Sequence, residues 1–368
     1  MKSKAVVLGL YGANALGVVR SLGYEGIPVV GFHQQGRFPH AAYSKYLEEA
    51  HFAESEEGLL EKLVEFGKTQ DEKGVLFATG DNYVVFCQHH AEELEPYYHV
   101  PLARERLCDL IKKQNLINLG RKAGFLVPQS QYLSEERRID FPVLAKPVNS
   151  LGTSKSDFYV FQSAEEFERI RQQLLEKYGE MVLQQYIPGG VRSNVEVHTY
   201  LSTQGPLIAG MLRKLYAVKN SVPGSLGALV ETIWEDELLV PSLRITEMLG
   251  FKGALDINLK QHAETGKYYF LEVNFRTSAN NMLDTVAGLN LPAIIYYDLT
   301  GNDISSLAGK KHKIGARWLM ENRWLKCLAN GDCSPEDMGD VDVLVFFDPK
   351  DPLPALMALD ETLSFKSA

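Results

Sequence analysis

The sequence is poor in cysteine, and its cysteines form none of the spacings typical of a zinc site. Cys87, Cys108, Cys327 and Cys333 are the four cysteines of the 368 residues, and no two of them make a C-x-x-C pair. No cluster of histidines accompanies them, so a zinc site is not expected. Few and scattered cysteines fit a protein of the reducing cytoplasm, where disulfides rarely persist.

The sequence also lacks long apolar runs and basic runs. No stretch approaches the ~18 apolar residues of a membrane-spanning helix, and the apolar run at residues 5–10 is too short for the core of a signal peptide. No run rich in Lys and Arg occurs, and the formal net charge is -9, which argues against nucleic-acid binding. We therefore expect a soluble, cytoplasmic protein that binds neither membranes nor nucleic acid.

Two familiar nucleotide-binding motifs are missing. The phosphate-binding motif G-x-x-x-x-G-K-[ST] does not occur in the chain. Gly9-Leu10-Tyr11-Gly12 departs from the dinucleotide motif G-x-G-x-x-G, and Phe32-His33 stands where an acidic residue is expected. The sequence therefore argues against a dinucleotide-dependent oxidoreductase, which stays only as an alternative function.

The spacing of apolar residues predicts an open α/β domain in the first hundred residues. Buried strands are predicted at residues 5–10, 27–32 and 74–78, and helices at residues 15–22 and 57–67. Strand, helix and strand within about 30 residues form a βαβ unit. The sheet of this domain is therefore expected to be parallel.

The middle of the chain predicts a long helix and then antiparallel strands. The helix is predicted over residues 104–122, and Ser163 with Glu166 predicts a capping box for a second helix. Further along the chain, polar and apolar residues alternate, which is typical of strands. Residues 253–260 and 267–274 flank a polar turn, so they predict a pair of antiparallel strands.

The segment FLEVNFR at residues 270–276 carries the strongest chemical signal. Glu272 and Asn274 are two residues apart, so they point to the same face of a strand, and Asp256 on the partner strand can face them. Such an all-oxygen set suits Mg2+, with nucleotide phosphates completing its coordination. Asn258 shares the face of Asp256 and is an alternative ligand, and a merely solvated sheet face is the alternative for the whole group.

Several basic residues are candidates for binding phosphates or a carboxylate. Arg276 would project beside the metals, where its planar guanidinium can bind either group. Lys146 lies in an apolar strand and belongs either to a sheet edge or to a cleft. The other candidates, each with a surface position as its alternative, are Lys113 in the long helix, Arg213 and Lys214 at a strand end, and the loops 149–155 and 221–227.

Taken in order, these segments resemble the ATP-grasp superfamily. The matching segments are a lysine before AGFLVP, then FPVLAKP, a loop of small residues, VLQQYIPGG, a basic strand end and FLEVNFR. Within the superfamily the chain looks most like the D-aspartate ligase-like carboxylate-amine ligases. The segments that carry this likeness are ATGDNYVVFCQHH, FPVLAKPVNS, QQYIPGGVRSN, GALDIN and GLNLP.

The resemblance implies an α/β and α+β fold and a division into segments. An open, Rossmann-like α/β domain would precede the two α+β lobes of an ATP-grasp fold, and ATP would lie between the lobes. The implied segments are residues 1–102 for the N-terminal domain, 103–184 for the first lobe, 185–310 for the second lobe with the metal site, and 311–368 for a C-terminal extension packed on the core.

The resemblance also implies a role for each candidate residue. The ATP phosphates would contact Lys113, Lys146, Ser150, Gly152, Thr153 and Ser154. The adenine would lie against Gln184, Gln185, Tyr186 and Ile187, with Asn194 near the ribose. Mg2+, or Mn2+ in its place, would be held by Asp256, Glu272 and Asn274. The reacting groups would be contacted by Arg276, Lys214 and Arg213.

The implied activity is the ligation of a carboxylate to an amine through an acyl phosphate, with ATP as the phosphoryl donor. The expected partners are the small-molecule carboxylate and amine, amino acids among them, and a homodimer is left open. The alternatives are a carboxylase-like enzyme that forms another acyl phosphate and a nucleotide-binding protein without turnover. None of these motifs identifies the two substrates.

Overall fold

The computed structural model describes residues 3–103, 113–148, 158–218, 227–307 and 310–364. Within these segments the chain forms sheets of five, four and seven strands, which follow one another along the sequence. No helix of these segments is both long enough and apolar enough to cross a membrane.

The first sheet is parallel and buried, as its apolar runs predict. Its strand order is β3-β2-β1-β4-β5, and all of its pairs run parallel. Every residue of β1 and β4 is buried, which is typical of parallel sheets covered on both faces. The strands are β1 (Ala5–Leu8), β2 (Val29–Gln34), β3 (Leu47–Ala53), β4 (Gly74–Ala78) and β5 (Tyr98–His99).

Helices connect these strands, and the first two lie where the sequence predicts them. They are α1 (Gly12–Tyr24), α2 (Glu56–Lys68), α3 (Asp81–His89) and the short α4 (Ala91–Leu94). α2 begins after Ser55, whose hydroxyl accepts a hydrogen bond from the amide of Gly58 at 3.1 Å. α1 and α3 follow β1 and β4, so both begin at the carboxyl edge of the sheet. Open α/β sheets bind ligands at this edge.

The second sheet is small and antiparallel, in the order β6-β9-β7-β8. Its strands are β6 (Ser130–Tyr132), β7 (Val143–Pro147), β8 (Tyr159–Phe161) and β9 (Met181–Gln185). α5 (Lys113–Ala123) precedes the sheet, and α6 (Ala164–Tyr178) packs on it. Ser163 caps α6 by accepting from the amide of Glu166 at 3.3 Å. The Glu166 carboxylate accepts from the amide of Gln162, one residue earlier than a capping box requires.

The third sheet has seven strands in the order β14-β13-β10-β11-β12-β15-β16, antiparallel except for its last pair. The predicted strand pair is β13 with β14. β10 lies on the other side of β13, so residues far apart in the sequence share one face. The strands are β10 (Asn194–Ser202), β11 (Gly205–Ala217), β12 (Gly227–Thr232), β13 (Leu255–Gln261), β14 (Tyr268–Asn274), β15 (Arg317–Leu319) and β16 (Val343–Leu344).

A shared apolar core holds the first sheet against the third. It includes Leu8 and Phe32 of the first sheet together with Ile257 and Phe270 of the third. The carboxyl edge of the parallel sheet is thereby fixed relative to β13 and β14. The remaining helices are α7 (Leu239–Leu249), α8 (Met282–Val286), α9 (Leu291–Leu299), α10 (Glu321–Ala329) and α11 (Leu353–Ser364).

The C-terminal part of the chain joins the third sheet through β15 and β16, a role that the sequence did not predict. A buried ion pair ties this part to α1, because Arg20 Nε donates to Asp351 Oδ2 at 2.9 Å. The same guanidinium donates to the carbonyl oxygens of Val345 and Phe346. Arg20 is therefore satisfied within the protein and is not a candidate for ligand binding.

Candidate functional site

The three predicted metal ligands lie together on one face of β13 and β14. Asp256 is the strand partner of Asn274, and Asn258 is the partner of Glu272. Asn274 Nδ2 donates to Asp256 Oδ2 at 2.9 Å, and Asn258 Nδ2 donates to Asp256 Oδ1 at 2.8 Å. Asn258 therefore orients the carboxylate of Asp256, which leaves Asp256 as the better-placed ligand of the two.

This cluster has the chemistry of a site for a hard divalent cation. Asp256 is buried, and its pKa is raised, first by burial and then by the charge of Glu196. Glu272 receives no hydrogen bond from the described part of the chain. Two carboxylates and an amide lie together without a direct ion pair to either carboxylate among the described residues, so an oxygen-binding cation such as Mg2+ fits the donor set.

Lys146 lies in the second sheet and is buried rather than placed at a solvated edge. Its exposed fraction is 5%, and its Nζ donates to Gln184 Oε1 at 3.0 Å. Gln184 Nε2 in turn donates to Ser130 Oγ at 3.0 Å. Burial lowers the pKa of Lys146, and the charge of Glu272 opposes that effect. The ammonium group therefore lies within electrostatic range of the carboxylate cluster on the third sheet.

The residues predicted to line the adenine lie at the junction of the second and third sheets. Gln185 Oε1 accepts from the amide of Gln129 at 3.2 Å, and Ile187 is buried. The ring of Tyr186 has the Nζ of Lys260 5.4 Å from its centroid. Lys260 belongs to β13, so Tyr186 connects the two sheets.

Asn194 begins β10, two residues before Glu196, and its side chain donates to the carbonyl oxygen of Val191 at 2.8 Å. It therefore lies on the same face as the carboxylate cluster. This position, at the end of the strand nearest the Tyr186 side, is the one the resemblance assigns to the ribose contact.

Glu196 on β10 belongs to the site, although the sequence did not single it out. Its strand partner is Asn258, Lys214 Nζ lies 2.9 Å from its Oε1, and Asn280 Nδ2 donates to its Oε2 at 2.8 Å. Burial would raise the pKa of Glu196, but Lys214 and His198 outweigh burial and lower it. The alternation along β10 could have shown that Glu196 and His198 share a face.

His198 lies beside Asp256, its strand partner, and each of its two ring nitrogens has a hydrogen-bond partner. Its Nδ1 lies 2.6 Å from Asp284 Oδ2, and its Nε2 lies 3.0 Å from Ser278 Oγ. Burial would lower the pKa of His198, but Asp284 outweighs burial and raises it to about 9. The carboxylate of Asp284 thus favours the protonated ring, and both ring nitrogens have a hydrogen-bond partner.

Ligand atoms of Glu196, His198 and Asp256 lie within 4.8 Å of one another. That spacing alone would allow a metal site. Nδ1 of His198 contacts Asp284 and Nε2 contacts the hydroxyl of Ser278, so His198 could bind a metal only by giving up its contact with Ser278. The structure places the ring of His198 between Asp284 and Ser278, next to the carboxylates of Asp256 and Glu196.

Arg213 and Lys214 lie within β11 rather than at the predicted strand end, because β11 continues to Ala217. Only one of the two faces this site. Burial would lower the pKa of Lys214, but the charge of Glu196 outweighs burial and raises it. Arg213 points to the opposite face, because neighbouring residues of a strand alternate. Its guanidinium donates to Gln261 Oε1 at 2.8 Å and to Glu235 Oε1 at 3.1 Å. This corrects the grouping of Arg213 with the reacting groups, since its bonds hold strands together.

Arg276 joins the third sheet to the carboxyl edge of the first sheet. Its Nε donates to Asp81 Oδ1 at 2.8 Å, and Asp81 is the first residue of α3. Burial would lower the pKa of Arg276, but the charges of Asp81 and Asp256 raise it. Asn14 of α1 completes the junction, because its side chain donates to the carbonyl oxygens of Thr79 and Thr277.

Some predicted contacts fall outside the described residues. They are Ser150, Gly152, Thr153 and Ser154 of the first candidate loop and residues 221–226 of the second. Lys113 is the first residue of α5, and its side chain is likewise outside the described part. Their roles stay predictions.

No family model matches the sequence. Over 166 residues, 44% of this chain, the sequence is 26% identical to the N-terminal section of the carbamoyl phosphate synthase large chain of Methanopyrus kandleri. That match spans 29% of the relative's length, so less than a third of that protein is represented here.

Solved structures resemble the whole chain more closely in fold than in sequence. The ADP complex of N5-carboxyaminoimidazole ribonucleotide synthetase has a TM-score of 0.65 at 13% identity, over 86% of this chain and 80% of that one. The L-amino acid ligase of Bacillus licheniformis has a TM-score of 0.61 at 14% identity, over 81% and 74%. The biotin carboxylase domain of the Hydrogenobacter thermophilus 2-oxoglutarate carboxylase, with MgADP and bicarbonate, has a TM-score of 0.65 at 14% identity, over 86% and 73%.

These likenesses show that the chain has the ATP-grasp fold, as the sequence predicted. At identities of this level they establish architecture, and activity has to be argued from the site. The closer resemblance to the D-aspartate ligase-like enzymes stays a prediction.

Proposed function

We propose that the chain is an ATP-dependent carboxylate-amine ligase that works through an acyl phosphate. One observation carries the proposal: buried Lys146 on the second sheet feels the charge of Glu272, which lies with Asp256 and Asn274 on one face of the third sheet. Arg276 follows that cluster directly and is anchored by Asp81. A cation on one sheet and oxygen ligands on the other suit a metal-bound triphosphate.

The proposed reaction has two steps. A carboxylate oxygen attacks the γ-phosphorus of ATP, and the bond from that phosphorus to the β–γ bridging oxygen breaks, which gives ADP and an acyl phosphate. A neutral amine then attacks the acyl carbon, phosphate leaves, and the nitrogen loses a proton to form the amide. The first step needs positioning and charge neutralisation more than it needs a protein nucleophile.

Each charged residue of the site has a role in this scheme. Lys146 binds phosphate oxygens, and Arg276 binds the substrate carboxylate and then the acyl phosphate that replaces it. Mg2+ fits Asp256, Glu272 and Asn274, and when bound it would neutralise charge on the phosphate oxygens. Lys214 faces the same space and stabilises negative charge there, while Glu196 fixes its position.

A second candidate is an enzyme that phosphorylates bicarbonate instead of an organic acid. It is favoured by the likeness in fold to a biotin carboxylase domain solved with bicarbonate. The two functions differ in the acid that each requires for ADP release. A carboxylase-like enzyme releases ADP with bicarbonate as the sole carboxylate, whereas an amide-forming ligase needs an organic acid.

The proposal is tested by measuring ADP release from ATP and Mg2+ over a panel of organic acids, amino acids and bicarbonate, each with and without amines. Hydroxylamine is added as a trapping amine, because it converts an acyl phosphate to a stable hydroxamate. Glu272→Ala should lose ADP release at least about 100-fold. The control is Glu264→Ala, since Glu264 is an exposed glutamate in the turn between the same two strands.

We expect full activity in Glu264→Ala and native circular dichroism in both variants. A fully active Glu272→Ala enzyme would remove the metal assignment. A wild-type protein that binds ATP but releases ADP with no acid of the panel would favour a nucleotide-binding protein without turnover.

A further inference from the structure

Asp81 and Arg276 form an ion pair whose carboxylate is open to solvent. Arg276 Nε donates to Asp81 Oδ1 at 2.8 Å, and the Asp81 side chain is 52% exposed. The ion pair that ties the C-terminal part to α1 is of a different kind, because the side chain of Asp351, the partner of Arg20, is only 1% exposed. Asp81 therefore contacts a predicted site residue and still keeps about half of its own side chain accessible to a ligand.

Both members of this ion pair keep an unused polar atom. Asp81 Oδ2 accepts no hydrogen bond from the residues that the structure describes. Arg276 Nη1 donates to the carbonyl oxygen of Thr277 at 3.1 Å, whereas Nη2 has no acceptor within the same residues. The ion pair thus presents a free carboxylate oxygen and a free guanidinium nitrogen to one ligand site.

The junction around the ion pair is held by Asn14, in the first turn of α1. Its Nδ2 donates to the carbonyl oxygens of Thr79 at 2.8 Å and Thr277 at 2.7 Å. Thr277 Oγ1 donates back to Asn14 Oδ1 at 2.6 Å. These bonds connect the segment before Asp81 to the segment after Arg276. Because exposed ion pairs add little to stability, the open carboxylate is better explained by a ligand than by the fold.

The free oxygen of Asp81 suits a cationic group of a substrate. Asp81 belongs to no described group of three carboxylates, histidines or cysteines that could hold a metal ion. A single carboxylate instead makes a charge-assisted hydrogen bond to an ammonium group. Asp81 is also the first residue of α3, at the carboxyl edge of the first sheet, where open α/β sheets bind ligands.

We propose that Asp81 binds the ammonium group of the amine substrate, beside the carboxylate that Arg276 binds. The amine substrate is then an aliphatic amine, amino acids included, that arrives protonated. This inference rests on the proposed ligase function, because Arg276 has to hold the acyl group. Two groups held by one ion pair lie side by side, which is the proximity that amide formation requires. The bound ammonium releases one proton to solvent and then reacts as the neutral amine of the proposed second step.

The test compares a neutral nucleophile with cationic ones at pH 7.5. Hydroxylamine is largely neutral at this pH, whereas ethylamine and the amino groups of amino acids are protonated. Hydroxamate and amide formation give kcat and KM for each nucleophile in wild type, Asp81→Asn and Asp81→Glu, and KM is also measured for the acid and for ATP. Asparagine keeps an oxygen that can accept from Arg276 Nε, but it carries no charge. Glu57→Gln is the matched control, because Glu57 is an exposed carboxylate in the first turn of α2, in the same domain.

We expect Asp81→Asn to raise KM for the cationic amines about 10- to 100-fold, the size expected for a hydrogen bond to a charged group. Hydroxamate formation and KM for the acid and for ATP should change far less, because a neutral nucleophile does not need the carboxylate. Asp81→Glu should recover part of the loss, since it restores the charge. Glu57→Gln should match wild type in every assay.

Three outcomes would overturn the inference while leaving the ligase proposal intact. An equal loss with hydroxylamine and with cationic amines in Asp81→Asn would leave Asp81 only as the anchor of Arg276. An unchanged KM for every cationic amine in that variant would exclude the contact. A wild type that forms hydroxamates but no amide with any cationic amine would exclude the substrate class. ADP release with no acid at all would instead remove the ligase proposal and this inference together.

Discussion

Replacing Asp284 by asparagine should change the stability of the protein in a way that depends on pH. Asp284 and His198 are both buried, with exposed fractions of 0% and 2%. Their 2.6 Å contact raises the pKa of His198 from 6.5 to about 9. A shift of this size corresponds to about 3 kcal/mol of stabilisation by the protonated ring.

The direction of this pH dependence follows from the direction of the pKa shift of His198. Because the pKa of His198 is higher in the folded than in the unfolded protein, the stabilisation is fully present below pH 6.5 and is lost as the pH rises through about 9. Asp284→Asn should therefore be less stable than wild type by about 3–5 kcal/mol at pH 6. The difference should shrink by most of that amount by pH 9.5.

Urea denaturation at pH 6, 7.5 and 9.5, followed by circular dichroism, measures this difference. With a slope of about 3 kcal/mol per molar urea, the expected shift at pH 6 is about 1 M. Asp298→Asn is the matched control, because buried Asp298 accepts from the hydroxyl of Tyr200 at 2.7 Å. Burial raises the pKa of Tyr200 above its ordinary value of 10, so Tyr200 stays neutral across the measured range. The Asp298→Asn control should therefore lose the same stability at all three pH values. Equal pH trends in the two variants would refute the reasoning.

Three further changes give separate tests. Gly210→Ala should destabilise the protein by about 3 kcal/mol in urea denaturation, because a Cβ there would overlap the carboxylate of Asp284. Asp351→Ala should expose the C-terminal part to limited proteolysis and lower stability by about 3–5 kcal/mol, because it leaves Arg20 buried without its partner. Lys146→Met should abolish ADP release while keeping or raising the melting temperature, because it removes a buried charge whose proposed role is to bind phosphate.

The elements that could be predicted from the sequence are those set by local patterns. β4 matches its predicted bounds, and α2 differs from its prediction by one residue at each end. The convergence of Asp256 and Asn274 also followed from local information, because period-two alternation and one polar turn define the strand pair.

The rest of the site depends on strand order, which alternation does not encode. β10 pairs with β13 across about sixty residues, and this pairing brings Glu196 and His198 to the predicted metal ligands. The position of Arg213 outside the site also depends on strand pairing. Alternation shows that Arg213 and Lys214 face opposite ways, but only the register of β10 with β11 decides which one meets Glu196.

The distribution of charge explains how the carboxylate cluster folds before it meets a cation. Glu196 has Lys214 beside it, and Asp284 has His198. Asp256 receives hydrogen bonds from two amide groups, and within the described residues no lysine, arginine or histidine donates to Asp256 or Glu272. The protein thus neutralises the carboxylates that hold the site together. Asp256 and Glu272, the two carboxylates of the predicted metal site, have no such cationic partner among the described residues, and the divalent ion of the proposed function would supply one.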